Sequence, residues 1–169
     1  MSIAQLLLAE FDEEMEATRR VLERVPTDRL DWQPHEKSMK MGHLASHVAE
    51  MMSWVAVTLT QDEFDVAPPG GPEFTPTILG STTAIVELFD KNASEARALI
   101  ESTTDEAFME TWTFKRGGKE LFSAPKTWVL RRFVMNHVIH HRGQLTVYLR
   151  LTDTPVPSTI GQTADEPAS

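Results

Sequence analysis

Apolar side chains recur at helical spacing in four stretches of the chain. Ile3, Leu7, Phe11, Met15 and Leu22 mark the first, with Ser2 placed to cap it and Pro26 to close it. A linker holding Trp32, Pro34 and His35 leads to Ser38, a suitable cap for a second helix reaching about Thr60. The buried stripe of that helix is Leu44, Val48, Met51 and Val55. A third helix, from about Thr82 to Glu101, puts Ile85, Leu88, Phe89, Ala96, Leu99 and Ile100 on one side. The fourth starts at Pro125, a residue suited to the first helical position, and runs to about Leu151, before Pro155 and Pro157.

The segments between differ in kind. Asp62 to Gly80 contains Pro68, Pro69, Gly70, Gly71, Pro72 and Pro76, which predicts a long crossing loop of the sort that covers sites. Between Glu110 and Phe122, Trp112 and Phe114 alternate before a Gly117-Gly118 turn and Leu121, the pattern of a small β-hairpin. The expected fold is all-α, a four-helix bundle with a Pro-rich loop after the second helix and a hairpin before the fourth. A single domain is expected over residues 1–169, with a polar tail from about 153, partly disordered from Gly161 to Ser169.

Composition narrows the chemistry. The 169 residues are 41% hydrophobic, enough for one real core. Lys and Arg number 16 against 25 Asp and Glu, a formal net charge of -9, so the basic footprint of a nucleic-acid or anionic-membrane binder is missing. There is no cysteine, which leaves imidazole, carboxylate and water for any metal site. The apolar run at Leu6, Leu7 and Leu8 is too short for a signal peptide and no stretch approaches a membrane span, so a soluble cytoplasmic protein is expected.

Of 6 histidines, all but His35 fall in two helical stretches, His43 and His47 on the second helix and His137, His140 and His141 on the fourth. Residues four apart on an α-helix share a face. His137 and His141 therefore project together on a stripe with Leu130, Val134, Leu145 and Tyr148, where two imidazoles can share one ion. His43, His47, Glu50 and Trp54 form a similar stripe beside the apolar one, so His47 can face the interior as well. The competing reading is of ordinary helix-face histidines bonded to water or carboxylates. Burying unpartnered imidazoles costs on the order of one to several kcal/mol each, a penalty that ligation removes.

Around these residues, LDWQPHEKSMKMGHLASHVAEM from Leu30 to Met51, and NHVIHHRGQLTVYLRLTDTPVPS followed by ADE between Asn136 and Glu166, resemble the DinB-like family of damage-inducible, metal-binding four-helix-bundle proteins. The resemblance spans most of the chain and implies His47, His137 and His141 as the ligands of one divalent metal. It also implies a homodimer, and relatives that include thiol-dependent transferases. Where many relatives carry a tyrosine after the Pro-Ser element, this chain has Ile160.

Four further residues are candidates for outer hydrogen-bond or substrate contacts. His43, one turn before His47, is a possible fourth ligand more at home on the rim. Glu50 could act as a base, His140 is offset by about 60° from His137, and Gln144 continues the ligand stripe. Gly143 suggests close helix packing, Arg142 a structural ion pair, and His35 and the tryptophans structural packing. Three imidazoles leave a coordination position open, as in catalytic zinc sites. The leading expectation is a zinc or nickel enzyme acting on a small molecule, either activating water for hydrolysis or binding a low-molecular-weight thiol for transfer to an electrophile. The alternatives are a stress-linked, metal-binding dimer without turnover, and a bundle with no metal.

Overall fold

The computed structural model describes residues 1–166. Helix α1 covers Ile3–Glu23 and starts in a capping box: Ser2 Oγ accepts from the Gln5 backbone while the Gln5 side chain accepts from the Ser2 amide. A short 3-10 turn, Thr27–Arg29, follows. Helix α2, Met41–Met51, and α3, Ser53–Thr60, divide the expected second helix at Met52. Its start also differs from expectation, since Lys40 and not Ser38 is the cap residue. The linker supplies the capping instead: Met41 N bonds the Trp32 carbonyl and Gly42 N the Leu30 carbonyl, each at 2.8 Å. A Cβ on Gly42 would lie 3.0 Å from Leu30 Cβ and 3.1 Å from its carbonyl oxygen, so any larger residue there would push the Leu30 linker back by a few tenths of an ångström.

The Pro-rich segment contributes a short strand, β1, Glu63–Asp65. Helix α4, Thr82–Ser102, is capped by Ser81, and a five-residue helix absent from the sequence reading, α5, Asp105–Met109, is capped by Thr104. The hairpin is present as β2, Thr111–Arg116, and β3, Lys119–Pro125, with Gly117 and Gly118 both at positive φ in the turn. Because β1 pairs parallel to β2, the hairpin is part of a three-stranded sheet, β1-β2-β3. The fold is thus mostly helical with a small sheet, rather than wholly α.

Pro125 ends β3 and caps a short helix, α6, Lys126–Trp128, instead of opening a long α-helix. A π-helical segment, Val129–Met135, comes next, and α7, Asn136–Leu151, completes the rod. In it Asn136 N bonds Arg131 O, the i→i+5 pattern of a π-helix. Helix α1 packs on α4 and α7, α2 packs on α4 and α7, and α3 packs on α4 and the π segment. Phe11, Leu22, Leu44, Ile85, Phe89, Leu130 and Leu145 are fully buried between them.

Two polar contacts inside this core fix how the helices meet. Asn92 of α4 donates to the Ala49 carbonyl of α2 at 3.1 Å. Arg142, 3% exposed, lies 2.6 Å from Glu14 and donates to the Glu14 carbonyl and Thr18, matching the structural ion pair expected for it. Past residue 153 the chain folds back, with Val156 and Ser158 buried. Asp165 pairs with Arg150 at 2.6 Å and Glu166 with Arg24 at 2.5 Å. Of the stretch expected to be partly disordered, residues 167–169 lie outside the described residues. No helix among the described residues is long and apolar enough to cross a membrane.

Candidate metal centre

Helices α2 and α7 pack side by side, and their contact brings His47 to His137 and His141. One nitrogen from each ring lies within 4.8 Å of the other two, and the ring centroids are 4.6–5.4 Å apart. His141 is buried and the other two are half-buried.

One hydrogen bond bears on the His141 tautomer. Nδ1 of His141 meets Oε1 of Gln144 at 2.7 Å, and an oxygen that can only accept leaves that proton on Nδ1. Nε2 of His141 is then an acceptor facing Nε2 of His137 at 2.8 Å, a position that a proton on His137 Nε2 or a bound cation can satisfy. Orienting a ligand imidazole through its other N–H to a carbonyl is the usual support of a histidine metal site.

Electrostatics agrees. Burial, and then the charge of the neighbouring rings, lowers the pKa of His47 from its ordinary 6.5 to about 4. Burial first, and then the His141 ring, lowers that of His137. Burial also lowers His141, against the Gln144 hydrogen bond, which raises it. The neutral ligand form is therefore favoured at neutral pH. A tetrahedral ion with metal–nitrogen bonds of about 2.0–2.1 Å holds its ligands about 3.4 Å apart. The separations here, from 2.8 Å up to 4.8 Å, bracket that value. The three histidines could hold a metal ion.

The other candidates are distributed around this point. Gln144 fixes the His141 tautomer. Glu50 accepts from the Thr77 hydroxyl at 2.6 Å and from the Thr77 amide at 3.1 Å, so its carboxylate anchors the crossing loop. Ser46 adds a second anchor by accepting from Leu79 N. His43 lines a different hollow with Thr27, Asp31 and Lys40. His140 is exposed, its ring 4.9 Å from that of His141. His35 Nδ1 accepts from Lys37 N in a local turn. Gly143 has nothing within 4 Å of where a Cβ would stand, so the close packing expected there does not occur among the described residues, since the position faces open space.

A wall of aromatic rings beside the triad went unread in the sequence. Trp54 makes edge contacts with Phe64, Phe74, Phe114 and Phe133 at 5.2–6.0 Å. His47, Met51, Trp54, Phe133 and His137 enclose a nook of about 50 Å³. The available signal was spacing: Met51 lies four residues after His47, and Phe133 four before His137.

A sequence model of the DinB family matches residues 1–167. The chain belongs to the DinB family. Among solved structures, a DinB-like protein of Bacillus subtilis is 22% identical with a TM-score of 0.67, covering 90% of this chain and 96% of that one. A DinB-like protein of Bacillus cereus is 19% identical with a TM-score of 0.69, covering 89% and 93%. At such identities they show that this DinB-family chain shares their fold. A search of functionally curated proteins finds no match.

Proposed function

We propose that this DinB-family protein is a metal-dependent enzyme acting on a small molecule, of the thiol-transferase or hydrolase type, with zinc or nickel held by His47, His137 and His141. The observation that carries this reading is the convergence of one nitrogen from each of the three imidazoles within 4.8 Å, with Nε2 of His137 and Nε2 of His141 2.8 Å apart. Once bound, the ion supplies Lewis acidity at an open coordination position.

The chain's own residues supply the rest. Gln144 orients the His141 ring through its Nδ1. Met51, Trp54 and Phe133 form a dry wall that excludes water from one side of the site and offers contact to an apolar part of a substrate. Thr77, clipped by Glu50, holds the loop that places Phe74 against Trp54 at 5.7 Å. The scaffold is read as one four-helix-bundle domain. It is proposed to act in the cytoplasm as a homodimer, for which exposed Val147 and Leu151 of α7 give an apolar stripe; a monomer mass by light scattering would remove the dimer.

The deciding experiment is elemental analysis of untagged protein beside a His47→Ala, His137→Ala, His141→Ala variant. About one ion per chain in the first and none in the second is expected. Loaded protein is then assayed with low-molecular-weight thiols and electrophiles. An empty wild type after metal is added back ends the metal reading. Full loading with no turnover on thiol or hydrolytic substrates ends the enzyme reading and leaves a metal-binding scaffold.

A further inference from the structure

A second hollow adjoins the triad at His137. It has a volume of about 410 Å³ and is lined by Arg132, Phe133, Asn136, His137 and His140. Two of these, Phe133 and His137, also line the nook, so the two spaces are neighbours across one triad residue. The chemistry of the hollow is one-sided. It contains no carboxylate, although the chain has 25 acidic residues against 16 basic ones.

Most of the arginines have a carboxylate partner: Arg19, Arg24, Arg97, Arg116, Arg131, Arg142 and Arg150 each lie within 3.2 Å of one. Arg132 and Arg20 make no ion pair or side-chain hydrogen bond among the described residues, and of these two Arg132 lines the hollow beside the triad. Its neighbour Arg131 pairs with Glu10 at 2.9 Å and donates to Oδ1 of Asn136. That bond engages the amide oxygen and leaves the Asn136 NH2 group as a donor. With the guanidinium of Arg132 and an N–H of exposed His140, the hollow thus offers donors from three successive turns of one helical rod.

We infer that this hollow is the anion subsite of the metal centre: it binds the carboxylate of a small ligand whose reacting end reaches the His47, His137 and His141 triad. A guanidinium offers a paired N–H fork that matches a carboxylate, and nothing else in the hollow competes for it. The inference rests on the metal reading given above and adds the charge class of the ligand to it.

The test uses cobalt-loaded full-length protein and thiols that differ in charge, with binding read from the cobalt absorption spectrum. The probes are 3-mercaptopropionate and N-acetylcysteine, which carry a carboxylate, neutral 2-mercaptoethanol, and cationic cysteamine. The subsite predicts that the two carboxylate thiols bind about tenfold or more tighter than 2-mercaptoethanol, and that cysteamine binds weakest. Arg132→Ala should abolish the preference, with Arg132→Lys restoring part of it, while cobalt content and affinity for 2-mercaptoethanol stay unchanged. Should all four thiols bind alike, or should Arg132→Ala keep the preference, the subsite is wrong and the metal centre stands. Should cobalt not load at all, both readings fall together.

Discussion

At the scale of the residue, His47 shows how burial sets chemistry. Its folded pKa of about 4 lies below the ordinary 6.5, so the unfolded chain takes up this proton more readily than the native one. Stability from this group is present above pH 6.5 and is lost as pH falls from there toward 4. Metal-free wild type should therefore show a urea midpoint that drops across that window. His47→Ala should flatten the drop, and an equal slope in both proteins would refute the assignment. Gln144 is the second lever, because its oxygen holds the His141 tautomer at 2.7 Å. Gln144→Leu should weaken metal affinity about 10–100-fold without altering far-ultraviolet circular dichroism. Unchanged affinity in a competition titration with a chelator would mean that the ring orients without it. The ligand spacing was legible in the sequence, since four residues on a helix span one turn. The support was less so, because the three-residue spacing of Gln144 from His141 does not say which of its atoms turns to the ring.

At the scale of the element, the capping and turn signals read well where they were local. The Ser2 cap and the Gly117-Gly118 turn both act through neighbours within three residues. The start of α2 was misread because its first amides are satisfied by Leu30 and Trp32, whose carbonyls a propensity argument cannot foresee. Gly42 records that contact. Gly42→Ala should destabilise the protein by about 1–3 kcal/mol, measurable by urea unfolding, and no loss would show that the linker yields. The π segment is harder still to foresee, as its apolar spacing is compatible with an ordinary α-helix. Removing one residue between Val129 and Met135 should let the rod close as α-helix and turn everything before it by about 100° relative to His137. Metal content should survive such a deletion, while the Arg132-dependent preference for carboxylate thiols disappears. Loss of both would place the π segment under the ligands as well as under the hollow.

At the scale of the whole molecule, the triad joins two helices that are far apart in the chain, so an ion held there stabilises the native state over the unfolded one. At free metal about a hundred times its dissociation constant the gain is about 2.7 kcal/mol. For a chain of this length that is about 5–10 °C in Tm. A chelator should lower the melting temperature of wild type by that amount and leave the triple histidine variant where it is. The mostly helical character was readable at this scale because four amphipathic stretches leave few other ways to bury their apolar sides. The third strand was not, since the pairing of Glu63, Phe64 and Asp65 with Thr113, Phe114 and Lys115 is parallel and spans some fifty residues.

The distance along the chain between His47 and His137 also has a consequence in time. About 90 residues separate them, and at synthesis rates of about 5–20 residues per second the ribosome needs about 5–18 s to travel from one to the other. During that interval α2 carries His47 without the His137 and His141 pair. The triad comes into being only after α7 has emerged and docked. Any ion held there must therefore be acquired after both helices have been made.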